Sequence, residues 1–147
     1  MPIDYKEYPK NWQQIRIEIL KLSNGRCMCS GECGLHNGQD LFERNAHRCV
    51  ERNGTKAKFA KGNVVLTIAH LCHNSMCENR KHLKALDQRC HLRYDVEYHK
   101  LNRRLSKEKN DERRKGAIKD FQANQIRLLG SPCILSKLPF KEKKGSG

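Results

Sequence analysis

The sequence predicts a small α+β domain with very little sheet, stabilised by bound zinc. The chain has 147 residues, of which 31 % are charged, and its mean hydropathy is −0.86, so its apolar core can only be modest. It contains eight cysteines interleaved with histidines. Residues 1–22 lack the apolar run and small-residue cleavage site of a signal peptide. Cysteines in such a context favour zinc sites over a disulfide scaffold.

The first element expected is a helix over "NWQQIRIEILKLS". Its apolar residues recur at roughly helical spacing from Trp12 to Leu22. Asn11 is a candidate N-cap, and "NG" at 24–25 is a stop signal. We expect this helix to pack against the core and to have no part in function.

The middle of the chain predicts a cysteine knuckle, a strand and a second helix. The stretch "CMCSGECGLHNG" (27–38) has too many glycines and cysteines for regular structure. The segment "KGNVVLTIAHL" has the β-branched content of a buried strand. After a polar loop, apolar residues again recur at mostly helical spacing and predict a helix: Leu83, Leu86, Cys90, Tyr94 and Leu101.

The charge of the chain predicts a polyanionic partner. Thirty lysines and arginines against 16 acidic residues give a net charge of +14, and the pI is about 9.6. Such a balance in a small domain is typical of nucleic-acid binding, although a merely solvated basic surface is the alternative. No window reaches the roughly 18 apolar residues of a membrane span. We therefore expect a cytoplasmic protein without a membrane partner. We expect a domain over 1–100 and a basic helical or flexible tail over 101–147.

The stretch "AHLCHNSMCENRKHL" (69–83) is rich in metal ligands. Cys72, Cys77 and His82 are spaced five apart and can supply three of the four ligands of tetrahedral zinc. The fourth is expected from the knuckle, where Cys27 and Cys29 are the candidates. A second zinc would take the remaining one of that pair together with Cys33, Cys49 and Cys90. The spacing leaves the partition open, and Cys133, in the tail, is not counted as a ligand.

Two further histidines fit a zinc cage less well. His70 closes the predicted strand, and His91 follows Cys90 in the next predicted helix. Histidines on two rigid elements can divide the work of hydrolysis. One stays neutral and accepts a proton from water, and the other presents a ring nitrogen to a divalent cation. Simple packing or surface roles are the alternative.

These residues also carry a family resemblance. The segments "VVLTIAHL" and "HLKALDQRCHLRYD" resemble the HNH endonucleases, the ββα-metal or His-Me finger class, and "AHLCHNSMCENRKHL" resembles the His-Cys box homing endonucleases. The resemblance spans about residues 26–100. It implies a ββα-metal domain with flanking helices, His70 as general base and His91 as ligand of a catalytic Mg²⁺ or Mn²⁺. It also implies that His82 binds structural zinc.

The activity implied by the resemblance is DNA cleavage. The chain would be a nicking or double-strand-cleaving DNA endonuclease with two structural Zn²⁺ ions. A homodimer is left open, since one ββα site cuts one strand. Seven arginines are candidate DNA contacts: Arg44, Arg48, Arg52, Arg89, Arg93, Arg103 and Arg104.

The chain departs from the family pattern at two positions. Many HNH proteins have an aspartate before the general base, where this chain has Ala69, and the usual "LCxxCH" reads "LDQRCH", with Asp87 replacing a cysteine. A non-catalytic zinc-stabilised nucleic-acid-binding module derived from an HNH fold is therefore the main alternative. A zinc protein bound to RNA or the ribosome would explain the charge but would leave His70 and His91 without a role.

Overall fold

The structure is a computed structural model that describes residues 4–36, 48–58 and 60–135. Within these ranges it contains four α-helices and one two-stranded sheet: α1 (Trp12–Ser23), β1 (Leu66–His70), β2 (Leu83–Asp87), α2 (Gln88–Tyr94), α3 (Val96–Leu105) and α4 (Asp111–Leu129). Short 3₁₀ turns at Tyr5–Glu7 and Arg80–His82 precede α1 and β2. The predicted α+β class with little sheet is confirmed. In the part of the chain described, none of the helices is long and apolar enough to cross a bilayer.

Helix α1 forms as its apolar spacing predicts. Trp12, Ile15 and Ile19 lie on one face, and their side chains are at most 4 % exposed. Asn11 occupies the N-cap position, although its side chain makes no capping hydrogen bond. Asn24 ends the helix in the left-handed conformation, with φ of 52°, as the "NG" signal predicts.

The sheet is an antiparallel hairpin of β1 and β2. Leu66 pairs with Asp87 at one end and His70 pairs with Leu83 at the other. The expectation that Leu83 and Leu86 belong to a helix was wrong, because both lie in β2. A short apolar run fits either structure by spacing alone, and here pairing with β1 decides it.

Helix α2 starts immediately after the hairpin because Asp87 caps it. The Asp87 side chain accepts hydrogen bonds from the backbone N–H groups of Arg89 and Cys90, at 2.9 and 3.1 Å. The predicted helix over this region is therefore shorter than expected and begins only at Gln88. Helix α2 packs against β1 as well as β2, so His70 and His91 lie on adjoining elements.

The C-terminal part of the described chain folds back onto the hairpin. Helices α3 and α4 contact each other, and the segment 131–135 then reaches the loop between the strands. There the backbone N–H of Glu78 donates to the carbonyl of Ile134 at 2.6 Å. Within the predicted tail over 101–147, α4 is helical and residues 131–135 contact the loop between the strands, while residues 136–147 lie outside the described chain.

The buried face of α1 can be tested with two isoleucines on the same helix. Ile15 is fully buried and Ile17 is 47 % exposed. Ile15→Ala should lower the free energy of unfolding by about 2–5 kcal/mol, because the cavity it leaves is in the core. Ile17→Ala, the control, should change it by about 0.5 kcal/mol or less. Urea unfolding with excess zinc measures both, and equal losses would contradict the assigned face.

Candidate functional site

Four candidate metal ligands come together at the loop between β1 and β2. The ligand atoms of Cys72, Cys77, His82 and Cys133 all lie within 4.8 Å of one another, and we call this group the loop site. His82 Nδ1 is 3.4 Å from the Cys77 sulfur and 3.7 Å from the Cys133 sulfur. A hydrogen bond with the Cys72 thiol lowers the pKa of the Cys77 thiol and favours its thiolate. Three sulfurs and one imidazole are a donor set typical of structural zinc.

The fourth member of the loop site differs from the predicted one. Cys27 and Cys29 lie in other groups, and Cys133 takes the place expected for one of them. The reason is the returning C-terminal segment, in which the carbonyl oxygen of Ser131 lies 2.8 Å from His82 Nε2. Ser131 and Cys133, which are 49 and 51 positions from His82 in the sequence, thus both contact its imidazole ring. The three ligands in "AHLCHNSMCENRKHL" could be found from their spacing, but Cys133 could not.

The remaining cysteines form a second set of ligands where the knuckle meets α2. Two groups of four share one thiol, and in each group the ligand atoms lie within 4.8 Å of one another. We call their seven members the knuckle cluster: Cys27, Cys29, Cys33, His36, Cys49, Asp87 and Cys90. His36 and Asp87 were not predicted as ligands. Imidazole and carboxylate are both accepted by zinc, so this donor set also fits the metal.

Two arginines donate hydrogen bonds to backbone carbonyls of cysteines in the knuckle cluster. Arg26 Nε donates to the carbonyl of Cys49 at 2.8 Å, and Arg48 Nε donates to the carbonyl of Cys27 at 3.1 Å. Arg48 also donates to the carbonyls of Ser23 and Arg26, at 2.9 and 2.7 Å. Arg48 is one of the predicted DNA contacts; its Nε and Nη2 groups donate to backbone carbonyls inside the domain, and its contact with DNA stays a prediction.

His70 lies at the end of β1 with its ring largely covered. The ring stacks on Trp12 of α1, with centroids 4.9 Å apart and planes at 24°, and Tyr8 lies 6.0 Å away. It is hydrogen-bonded to the backbone of Cys77, whereas Nε2 is buried and has no hydrogen-bond partner among the residues described. Burial lowers the pKa of His70 to about 4. Helix α1 therefore positions a candidate catalytic residue, whereas it was expected only to pack against the core.

His91, on α2, has both ring nitrogens in polar contacts. Its Nδ1 lies 2.6 Å from the Thr67 hydroxyl on β1, and its Nε2 lies 3.1 Å from Asp95. Asp95 is also 3.3 Å from His73 Nδ1. Burial raises the pKa of the Asp95 carboxyl, but hydrogen bonds with the two histidines outweigh it and hold that pKa well below its usual range. The charge of His91 lowers the pKa of His70 and the charge of Asp95 raises it, so both groups interact electrostatically with His70.

Asp95 and His73 were not predicted as members of this site. Asp95 follows His91 by four residues, a spacing that puts both side chains on one helix face, and this was the available signal. Nothing in the sequence spacing connects His73 or Thr67 to α2, since only the folded hairpin brings them there.

The other predicted DNA contacts differ in how far their side chains are exposed. Arg89 is half-buried near the knuckle cluster, and Arg44 lies outside the described residues. Four of the predicted arginines have exposed side chains: Arg52, Arg93, Arg103 and Arg104. These four are accessible to a polyanion.

No family model, curated protein or solved structure matches this chain. What the protein does must therefore be inferred from its own residues and geometry. The features available are the two sets of metal ligands, the His70–His91 site and the exposed arginines.

The assignment of Cys133 can be tested by two truncations. Removing residues 131–147 should cost the chain one zinc ion, because Cys133 is lost. Removing only 136–147, the control, should leave the zinc content unchanged, because all four ligands of the loop site remain. Inductively coupled plasma mass spectrometry on both proteins gives the counts. Cys133→Ser in the full chain should lose the same ion and lower the melting temperature; an unchanged zinc count in this variant would remove Cys133 from the site.

Proposed function

We propose that this protein is a metal-dependent DNA endonuclease in which His70 is the general base and a divalent cation is held by His91 and Asp95. The observation that carries the proposal is the environment of His70 Nε2, which is buried and has no hydrogen-bond partner within the described ranges. A buried polar atom without a partner is expected where a water or a substrate group binds. The strand–strand–helix order and the resemblance to HNH endonucleases support the same conclusion.

His70 has the geometry of a proton acceptor. One side of its ring is fixed by stacking on Trp12 and by the hydrogen bond with the Cys77 backbone. Nε2 is then the atom left to take a proton from an attacking water. Because the ring is held by two elements, it keeps its orientation while the substrate binds.

His91 and Asp95 are the residues that would hold the cation. His91 Nε2 and the Asp95 carboxylate are 3.1 Å apart and offer one imidazole and one carboxylate, and water and phosphate oxygens would complete the shell of Mg²⁺ or Mn²⁺. When bound, the cation would stabilise negative charge on the phosphate and on the leaving oxygen. Many HNH proteins have an aspartate at the position of Ala69, and in this chain Asp95 would supply the carboxylate instead. With so few protein ligands, we expect weak cation binding in the absence of DNA.

The surface around this site suits a DNA backbone. His91 is 25 % exposed and lies in a surface depression that it shares with Thr67 and Asp95. Arg93, Arg103 and Arg104 are exposed on α2 and α3. With a net charge of +14, binding should be driven by phosphate contacts and should weaken as salt concentration rises.

A non-catalytic nucleic-acid-binding module is the second candidate. It is favoured by the occupation of both His91 nitrogens within the protein, by Thr67 and by Asp95. If those contacts persist when DNA is bound, no ring nitrogen is left for a cation. Such a module would retard DNA in a gel in a zinc-dependent way and would not cut it.

The general base can be tested with His70→Ala in a plasmid nicking assay with Mg²⁺ and with Mn²⁺. The wild type should nick the plasmid, and His70→Ala should lower the rate about 10²–10⁴-fold, the usual loss for a general base. Zinc content and DNA affinity should not change. His99→Ala is the matched control, because His99 is exposed on α3.

Two outcomes would contradict the proposal. If His70→Ala retains most of the wild-type rate, His70 is not the base. If the wild type binds DNA but does not nick it with either cation, the chain is the binding module and not an endonuclease.

A further inference from the structure

We infer that the knuckle cluster holds two zinc ions that share the thiolate of Cys90. This inference concerns the metal centre alone and stands whether or not the chain cuts DNA. It starts from the overlap of the two groups of ligands. One group is Cys29, Cys33, His36 and Cys90, and the other is Cys27, Cys49, Asp87 and Cys90.

The number of ligands favours two ions over one. A structural zinc ion takes four ligands, so a single ion would leave three of the seven buried donors without a metal. Two ions need eight ligand positions. Seven groups fill eight positions if one of them serves both ions, and thiolate sulfur has the lone pairs to bridge two metals.

Cys90 is the member placed to bridge. It is the residue common to both groups, and its side chain is 2 % exposed. Its sulfur lies 3.3 Å from His36 Nε2 in one group and 4.0 Å from the Cys49 sulfur in the other. Separations of this size are those expected between two ligands of one tetrahedral zinc ion, whose bonds are about 2.0–2.3 Å long.

Asp87 can serve the second ion while it caps α2. Its Oδ1 accepts the two hydrogen bonds from the start of the helix. Its Oδ2 points the other way and lies 3.5 Å from the Cys49 sulfur. The replacement of cysteine by aspartate in "LDQRCH" therefore keeps a ligand at this position.

The charges of such a cluster balance. Five thiolates and one carboxylate carry six negative charges, and two Zn²⁺ ions supply four positive charges. The guanidinium groups of Arg26 and Arg48, bonded to the carbonyls of Cys49 and Cys27, supply the other two. With one zinc ion, either the charges would not balance or several buried thiols would have to stay protonated.

The consequence of bridging is a rigid start to α2. Cys90 lies in the first turn of α2 and directly precedes His91. Two ions bonded to the same sulfur would tie this turn to the knuckle and to Cys49 at once. The cluster would therefore fix the backbone from which His91 projects.

The metal count of the full chain tests the inference first. Native mass spectrometry of the reduced, zinc-loaded protein should find three zinc ions, one in the loop site and two in the knuckle cluster. Cys90→Ser should lower the count from three to one, since both ions lose the shared ligand. Cys33→Ser, the matched control, should lower it only to two. A wild-type count of two would overturn the inference.

Cadmium NMR of the wild type gives a test that needs no variant. In the protein reconstituted with NMR-active cadmium, the β protons of Cys90 should correlate with two different cadmium resonances. The β protons of Cys33 should correlate with only one. A single cadmium correlation from Cys90 would overturn the bridge even if three ions are bound.

Discussion

Seven cysteine side chains are buried in a domain of this size, and a bound cation would allow them to be buried as thiolates. The thiols lie against one another, and a buried thiolate without a partner is costly. Zinc binding would supply the missing charge and, since the ligands come together only in the folded chain, would contribute its binding free energy to folding. The apolar core beside these groups is thin, with α1 and the hairpin contributing most of it. We therefore expect the fold of this protein to depend on metal binding more than on apolar burial.

The same ligands surround the candidate catalytic residues. Cys72 of the loop site follows His70 by two residues, and Cys90 of the knuckle cluster directly precedes His91. Each histidine is thus attached to a backbone that metal binding would hold in place. The side chains add to this, since Trp12 stacks on His70 and Asp95 links His91 to His73. The groups that could bind structural metal and the candidate catalytic residues are separate in this molecule but adjacent in sequence at both points.

Local features of the sequence predicted the local structure well. Helix α1 and its end at Asn24 follow from apolar spacing and from a turn signal, and β1 follows from its β-branched residues. Strand β2 was mistaken for helix, because five apolar and polar residues cannot reveal the partner strand that decides their conformation. The trio in the loop site could be predicted because its members lie within eleven residues of one another.

Contacts between distant parts of the chain could not be predicted in this way. Cys133 reaches His82 from 51 positions away, and Thr67 meets His91 only through the hairpin. The internal contacts of Arg48 were likewise not predictable, since the basic composition of the chain does not show which backbone carbonyls an arginine meets in the fold. A charged residue acquires its role from the tertiary structure, and composition alone does not reveal it.

Hydrogen exchange of the hairpin amides with and without zinc tests the central claim most directly. The reduced protein would be compared before and after zinc is removed by a chelator at neutral pH, with the paired amides of Leu66–His70 and Leu83–Asp87 as the readout. If metal binding holds the fold together, protection of these amides should be lost with the zinc and should return when zinc is added back. Protection that persists in the zinc-free protein would contradict the account, because the apolar core would then suffice to hold the hairpin.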